Sequence, residues 1–379
     1  MAGFKATSNI VLGLLFLLSL MALIAVENGK MDVKQEYYEE KLEAARLSSM
    51  AAAHLKNHRL QNSVFIDEVN DPNETALIGQ EYSMITTDQG NIESKLSSTN
   101  PNFAAVVVQL LKDAGLDEND RVAVAFSGSF PGMNLSVMAA VETLNLKPVV
   151  ITSVGASNFG ANDPYFTWLD MESLLVEAGI FRNKSVAASI GGGNDIGRGL
   201  SPEGRDLIIQ AIERNKVEFI HEKFLENSIS RRMEIYDKHS GNSKIKAYVN
   251  VGGGIASLGN TINGQLIPSG LTEHLPMSNY PLHGVIIQMG RKGIPIIHLL
   301  NIDQLLAKYG LPDNPVPMPD PGEGGIFIQK RYNLLVTSLA TAVLVAVIIF
   351  IYLAERKRHR LGTEVVPTDR EPETWNPEL

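Results

Sequence analysis

The sequence predicts an α/β domain with a mostly parallel sheet and helices on both faces, placed between two membrane-spanning helices. Short apolar runs of β type alternate with segments of helical spacing, which is typical of such a sheet. Four of these runs lead into glycine and small polar residues, within the stretches Arg121–Val137, Pro148–Gly160, Ser185–Gly199 and Ala247–Gly254. Parallel strands end at one edge, where open α/β sheets bind ligands, so we expect the four loops to meet there.

Two uncharged apolar runs flank this region, Ile10–Val26 and Leu334–Leu353. The second has the roughly 20 residues needed to cross about 30 Å of hydrocarbon, whereas the first is short enough to be the core of a signal peptide. An uncleaved anchor is favoured because no clear A-x-A cleavage site follows the first run. The basic residues Arg356–Arg360 follow the second run and Lys5 precedes the first. Both termini are therefore predicted to be cytoplasmic, and residues 27–330 exoplasmic.

Composition excludes several classes of protein. The chain has no cysteine, so disulfides, thiol catalysis and cysteine-ligated metals are excluded. The formal net charge of −9 argues against binding to nucleic acid, and any anion must be recognised by local geometry. The histidines show no metal-binding spacing, so no metal is predicted. No cofactor is predicted either.

Helix signals mark several starts and ends. Pro101–Gly115 follows a capping Asn100 and ends at glycine, and Ser201 precedes another helix whose first residue is Pro202. The predicted helices are Met31–Leu60, Pro101–Gly115, Pro131–Asn145, Tyr165–Gly179, Pro202–Asn215 and Val217–His239. The predicted strands are Arg121–Ser127, Lys147–Val154, Lys184–Ile190, Ile245–Val251, Gly284–Met289 and Ile294–Leu300. The last two are alternatively an antiparallel pair that turns at Gly290–Gly293.

The chain divides into seven segments on these signals. They are a cytoplasmic N-terminus (1–9), a first span (10–26), a membrane-proximal helical and loop region (27–100), the α/β domain (101–312), a linker rich in proline and glycine (313–333), a second span (334–353) and a basic cytoplasmic tail (354–379).

The loop after the first strand contains Ser127, Gly128 and Ser129, and the next helix opens at Pro131–Gly132. Hydroxyls and backbone amides at a helix start suit an anion, so we favour a ligand-binding loop. A structural turn and a nucleophilic serine are the alternatives. The absence of G-x-S-x-G spacing disfavours the nucleophile.

The next two loops offer further candidates. Small residues at Ser153, Gly155 and Ser157 would let a ligand approach the backbone, and they suit an irregular turn equally well. The third loop has neither Walker A nor dinucleotide-binding spacing. Within it, Arg198 is predicted to clamp a carboxylate, and Asp195 to act as a base or as the ion-pair partner of Arg198. The candidate ligand residues of this loop are Gly191, Gly192, Gly193, Asn194, Asp195 and Arg198.

The fourth loop contains Gly252, Gly253 and Gly254 and repeats the pattern. Among the scattered histidines, for which structural or solvated roles are favoured, His283 is the best placed for acid–base chemistry. Ser127, Asp195 and His283 occur in the chain order of a catalytic triad, but this order is common by chance.

The layout of the whole chain resembles the poly-γ-glutamate system protein family. The resemblance rests on the stretches SGSFPGMN, TSVGASNFGAN and GGGNDIGRGL, between an N-terminal span and a C-terminal span with a basic tail. It implies an envelope protein that acts on or near an anionic polymer of γ-linked glutamate. It also implies two partners, an ATP-dependent poly-γ-glutamate ligase and a small membrane subunit. It implies no catalytic residues.

Two functions are consistent with these patterns. In the first, the domain is an accessory module that binds glutamate carboxylates at its glycine-rich loops. In the second, it is an exoplasmic hydrolase or transferase that uses Ser127 or Ser129 together with His283. The absent elbow spacing favours the first, and a solute-binding sensor is a weaker third possibility.

Overall fold

The computed structural model describes residues 9–363 except 63, 65, 68, 242 and 277, with side chains up to residue 357. The chain forms two compact units. One is Lys34–Ile328, and the other joins the residues up to Val33 to those from Gln329 onward.

Helices and strands alternate through most of the larger unit. The helices are α1 (Asn9–Asn28), α2 (Tyr38–Gln61), α3 (Ile92–Ser98), α4 (Phe103–Asp113), α5 (Pro131–Thr143), α6 (Trp168–Glu177), α7 (Pro202–Arg214), α8 (Leu225–Ser240), α9 (Ile255–Leu258), α10 (Asn263–Leu266), α11 (Val285–Arg291), α12 (Ile302–Tyr309) and α13 (Leu334–Thr363). The strands are β1 (Met31–Lys34), β2 (Arg121–Ser127), β3 (Lys147–Ser153), β4 (Asn162–Asp163), β5 (Phe166–Thr167), β6 (Ala187–Ser189), β7 (Glu218–Phe219), β8 (Ile245–Val251), β9 (Gly270–Thr272), β10 (Ile296–Leu299) and β11 (Ile328–Arg331).

The predicted α/β class with a mostly parallel sheet is confirmed. Seven strands form one sheet in the order β7-β6-β3-β2-β8-β10-β9. Every neighbouring pair in it is parallel except β10 with β9, which is antiparallel. Its five central strands have the 3-2-1-4-5 order of doubly wound folds.

Helices cover both faces because side chains along each strand alternate between two apolar layers. On β2, Val122, Val124 and Phe126 face a core formed with α2, α4, α5 and α6. Ala123 and Ala125 face the opposite core, which contains residues of α8 and α11. Burial on both faces explains why the central strands are almost continuously apolar.

Local capping agrees with the sequence signals at α7. The Ser201 hydroxyl accepts a hydrogen bond from the Gly204 N–H at 3.1 Å, and Pro202 is the first helical residue. The bounds of β2 and β8 are those predicted. In these elements the sequence carries a strong signal for the start or end, and long-range packing does not override it.

The prediction of a strand at Gly284–Met289 is wrong, because Val285–Arg291 forms helix α11. Its apolar residues are buried all round, and a short apolar run cannot be assigned to strand or helix by periodicity alone. The proposed antiparallel pair within Val285–Leu300 is also wrong, since the antiparallel neighbour of β10 is Gly270–Thr272. Val217–His239, predicted as one helix, contains strand β7 and most of α8.

Residues 313–325 of the predicted linker (313–333) belong to the larger unit and are hydrogen-bonded within it. The Ser97 hydroxyl donates to Asp313 Oδ1 at 2.8 Å, and the Asn102 amide donates to the Asp320 carbonyl at 2.9 Å. Helix α2 likewise contributes buried alanines to the main core. The compact α/β unit therefore extends beyond the predicted limits of 101–312.

The smaller unit contains two helices that are long and apolar enough to span a membrane, Asn9–Asn28 and Leu334–Lys357. Helix α1 packs against α13, and β1 pairs with β11. Near these strands, Glu27 accepts hydrogen bonds from Lys30 at 2.5 Å and from the Tyr332 hydroxyl at 2.6 Å. By length and composition alone, these two helices are candidate membrane spans.

Candidate functional site

A row of serine hydroxyls lies at the carboxyl edge of the sheet. Ser127 ends β2, Ser153 ends β3 and Ser189 ends β6, and the three residues are paired in register across the parallel strands. In-register residues of neighbouring parallel strands project to the same face. Three of the four predicted loops thus begin side by side, and the fourth follows β8 on the other side of β2.

The strand order has a topological switch point between β2 and β8. From β2 the chain runs outward through β3, β6 and β7, and it then returns to β8 on the other side of β2. Ligands of open α/β sheets bind in the crevice outside the strand ends at such a point. The two loops that border this crevice are 128–130, after β2, and 252–254, after β8.

The glycines after β8 differ in how closely they are packed. A Cβ atom added to Gly253 would have nothing within 4 Å, and one added to Gly254 would meet only Ser153 Oγ, at 3.6 Å. At Gly252, with φ of +76°, an added Cβ would lie 3.3 Å from Ser127 Cβ and 3.2 Å from the Phe130 ring. Gly253 and Gly254 are therefore the predicted ligand glycines with the most free space beside them.

The glycines of the other loops are used for chain packing. The Gly128 N–H donates to the Ser153 carbonyl at 2.9 Å, and the Gly155 N–H donates to the Ile190 carbonyl at 2.8 Å, so neither amide is free for a ligand. A Cβ at Gly132 would lie 2.6 Å from the Ser98 carbonyl oxygen. At these positions glycine permits a close approach of two backbones.

The segment 84–90 covers the edge on the side of β3 and β6. The Thr87 N–H donates to the Ala156 carbonyl at 2.8 Å, and the Asn158 N–H donates to the Asp88 carbonyl at 3.1 Å. A Cβ at Gly192 would lie 2.9 Å from Thr87 Cγ2. Added Cβ atoms would meet the Ser153 side chain at Gly191 and Arg198 at Gly193. The glycine-dense third loop is therefore packed against the protein itself.

Ser129 has the hydroxyl best placed for a ligand at the crevice. Its Oγ accepts hydrogen bonds from the Ser127 hydroxyl and from the Ser157 N–H, both at 3.0 Å. Ser129 is half-buried. Among the described residues its hydroxyl accepts hydrogen bonds but donates its own hydrogen to none. It can donate that hydrogen to a carboxylate oxygen.

Lys95 is a buried cation beside these hydroxyls that the sequence analysis missed. Its Nζ donates to the Ser129 carbonyl and, at 3.0 Å, to Ser157 Oγ, and it lies 4.7 Å from the centre of the Phe130 ring. No carboxylate pairs with it within the described part of the chain. Burial without a countercharge lowers the pKa of Lys95 to about 7.

Asp195 is buried and pairs with Arg232 of α8, and not with Arg198 as predicted. Arg232 Nη2 lies 3.0 Å from Asp195 Oδ2, with both side chains at most 2% exposed. Arg198 is exposed, its backbone N–H donates to the Gly193 carbonyl at 3.0 Å, and its side chain has no hydrogen bond or ion pair among the described residues. Asn194 and Asp195 have positive φ angles of 56° and 63°, a left-handed conformation that Asn and Asp tolerate better than most residues.

A signal for Arg232 was present in the sequence. Ile229, Met233 and Tyr236 are buried on one stripe of α8, and Arg232 lies on the same stripe. A charged residue on an otherwise apolar helical face predicts a buried partner. Lys95 had no comparable signal, because it lies in a short helix of mixed polarity.

Two shallow clefts lie beyond the crevice. The larger, of about 370 Å³, is lined by Asn194, Lys223, Phe224, Leu225, Glu226, Ile255, Gly259, Asn260, Pro281 and Leu282. The smaller, of about 260 Å³, shares Glu226, Pro281 and Leu282 with it and reaches His283. Asn194 thus connects the glycine-dense loop to an open space.

The structure does not join Ser127, Asp195 and His283 into a triad. His283 Nδ1 lies 3.0 Å from Arg291 Nη1, whereas Asp195 is held by Arg232 and Ser127 bonds to Ser129. Another histidine, His298, is completely buried beside Asn250, and burial lowers its pKa to about 4. Its imidazole is therefore neutral near pH 7, and the described residues contain no cluster that could hold a metal ion.

Comparison with known proteins gives no match to a family model, to a curated protein or to a solved structure. The fold defines an α/β protein with a doubly wound, mostly parallel sheet and two apolar helices near the ends of the chain.

Proposed function

We propose that this protein is a membrane-anchored accessory component of poly-γ-glutamate synthesis or export, and that its α/β domain binds glutamate carboxylates. The family resemblance supports poly-γ-glutamate as the polymer, and a ligase and a small membrane subunit as the two partners. The site supports the class of ligand. Both termini are cytoplasmic in this proposal, and the α/β domain is exoplasmic.

One observation carries the binding proposal. The switch point between β2 and β8 coincides with the glycines that have free space, Gly253 and Gly254, and with the donor hydroxyl of Ser129. Hydroxyl and backbone N–H groups donate to carboxylate oxygens, and such charge-assisted bonds are stronger than neutral ones. Lys95 adds positive charge next to Ser129 in its protonated state.

The experiment is to fill the crevice with a side chain. Gly253 has no positive φ and no neighbour within 4 Å of an added Cβ, so Gly253→Leu occupies the crevice without straining the backbone. Ala178→Leu is the matched control, because Ala178 is exposed and ends α6. Binding of γ-linked glutamate oligomers to the full chain in detergent is measured by calorimetry.

We expect Gly253→Leu to weaken binding by tenfold or more, about 1.4 kcal/mol, and Ala178→Leu to leave it unchanged. Ser129→Ala removes one hydrogen bond to a charged group and should cost about 1.5–3 kcal/mol. Equal affinities of wild type and Gly253→Leu would show that the crevice is not the binding site.

Hydrolysis of the polymer is the second candidate function, and one observation favours it. Lys95 Nζ lies 3.0 Å from Ser157 Oγ, and with a pKa of about 7 its amine can accept the serine proton. Ser157 Oγ would bond to the amide carbon, the C–N bond would break, and the released amine would take the proton from Lys95. Water would then hydrolyse the acyl ester, which frees a carboxyl group and restores the Ser157 hydroxyl. The backbone of Gly90 lies over Ser157 and would have to move, which makes this function the second choice.

A fluorophosphonate probe tests the second function directly. Labelling of the wild type that is lost in Ser157→Ala and in Lys95→Met, but kept in Ser127→Ala, would establish Ser157 as a nucleophile. Absence of labelling in the folded wild type would remove this candidate.

A further inference from the structure

The buried carboxylate of Asp195 is surrounded by four donor residues, which we call the receptor: Ser153, Ser189, Ser228 and Arg232. The Asp195 carboxylate accepts hydrogen bonds from Ser189 Oγ at 2.7 Å, Ser228 Oγ at 2.6 Å and Ser153 Oγ at 3.3 Å. Arg232 Nη2 completes the set at 3.0 and 3.2 Å. One guanidinium and three hydroxyls thus surround a single carboxylate.

The receptor and its occupant come from different kinds of structure. Ser153 and Ser189 end two central strands, and Ser228 and Arg232 lie on α8, so the donors are held by regular elements. Asp195 instead comes from a loop without regular structure. This loop has positive φ angles at Gly191, Gly192, Asn194, Asp195, Gly197 and Gly199. At Asn194 and Asp195, which are not glycines, the left-handed conformation costs free energy that displacement of Asp195 would release.

Asp195 leaves part of the receptor unused. The hydrogen bonds to Asp195, Ser153 and Ser189 all come from Arg232 Nη2, and Arg232 Nε is buried without a partner. A guanidinium binds a carboxylate best through two parallel N–H donors. A buried donor without an acceptor is costly, so an occupant that also reached Nε would bind more strongly than Asp195 does.

The receptor is itself buried, and two open spaces lie near it. Asn194, the neighbour of Asp195, lines the 370 Å³ cleft. Ser153 Oγ lies 3.6 Å from the position of a Cβ at Gly254, which borders the crevice. A carboxylate that arrives from either space would meet the receptor once Asp195 had left it.

We infer that Ser153, Ser189, Ser228 and Arg232 form a binding site for a ligand carboxylate, and that Asp195 is an internal competitor that occupies it in the free protein. This inference deepens the proposed carboxylate-binding function and rests on it for the identity of the natural ligand. The four residues of the site, in contrast, are identified by their hydrogen bonds to Asp195 and do not depend on the proposed function.

The test removes the competitor and supplies a small carboxylate. Asp195→Ala is titrated with sodium acetate, using the full chain in detergent, by calorimetry and by the shift of the thermal midpoint. Inorganic phosphate is titrated in parallel to separate a planar carboxylate from a tetrahedral anion. Asp170→Ala is the matched control, because Asp170 pairs at 2.6 Å with Arg214, a half-exposed arginine on the surface. Asp195→Gly replaces Asp195→Ala if the latter does not fold, since glycine also empties the site and tolerates the positive φ angle at this position.

We expect acetate to bind the Asp195 variant at least about tenfold more tightly than the wild type, because a tethered carboxylate competes at a millimolar or higher effective concentration. Adding Arg232→Lys should abolish this gain. The inference is overturned if acetate affects the Asp195 variants no more than Asp170→Ala, or if phosphate binds them better than acetate.

The two sets of measurements distinguish a failure of this inference from a failure of the proposed function. Oligomer binding that responds to Gly253→Leu, in a protein whose Asp195 variants ignore acetate, would overturn this inference alone. Acetate binding by the Asp195 variants, with no binding of γ-glutamate oligomers by any form of the protein, would support the receptor and overturn the proposed function.

Discussion

The charge state of Lys95 leads to a prediction about stability and pH. Burial lowers the pKa of Lys95 from the ordinary 10.5 to about 7 in the folded protein. Below pH 7 the amine is protonated in both the folded and the unfolded state and adds no pH dependence. Between pH 7 and 10.5 the unfolded chain holds a proton that the folded chain lacks, so the free energy of unfolding rises with pH.

The magnitude follows from the size of this shift. Each pH unit contributes up to about 1.4 kcal/mol, and half of that at pH 7 itself, so Lys95 alone raises the free energy of unfolding by about 2 kcal/mol between pH 7 and pH 9. Lys95→Met removes the titrating group and keeps an unbranched side chain of similar length. We therefore expect the free energy of unfolding of the variant to rise by about 2 kcal/mol less than that of the wild type over this range.

Urea unfolding from pH 6 to pH 9 measures the effect. Trp168 is completely buried and serves as the fluorescent reporter, with the second tryptophan removed by Trp375→Phe. Lys147→Met is the control, because Lys147 is exposed at the start of β3. Equal slopes of unfolding free energy against pH for wild type and Lys95→Met would show that Lys95 keeps its proton throughout. Lys95 could then not act as the base that accepts the proton of Ser157.

Three further predictions concern packing, hydrogen bonding and topology. Gly204→Ala should destabilise the protein by about 1–3 kcal/mol although alanine favours helices, because its Cβ would overlap the backbone carbonyl of Met84. In the same urea experiment Gly253→Ala should stay within about 0.5 kcal/mol of wild type, and equal losses at both glycines would contradict this packing argument. Tyr236→Phe removes a 2.8 Å hydrogen bond to a backbone carbonyl of β2 and should cost about 1 kcal/mol of unfolding free energy, whereas no loss would mean that the bond is absent. Protease added to spheroplasts should digest the α/β domain and spare a tag placed after Leu379, and a digested tag would reverse the assigned orientation.

The class of fold was predictable because it depends on local patterns. The apolar runs that became β2 and β8 are buried on both faces, and such strands are readable as continuous hydrophobic stretches. The start of α7 was readable because Ser201 and Pro202 carry their signals within one helical turn. The two apolar helices followed from length and composition. Helix α11 was missed because seven residues are too few to show a helical period.

The candidate site was only partly predictable, because its geometry depends on residues far apart in the chain. The sequence by itself determined that hydroxyls and glycines follow four strands, and the parallel sheet places them at one edge. Only the tertiary structure decided the order of those strands and hence the switch point beside Gly253. It also decided that Thr87 covers the third loop and that Lys95 and Arg232 reach the serines. Propensity and periodicity act over a few residues, whereas strand order and burial of charge are set by long-range packing that no single segment encodes.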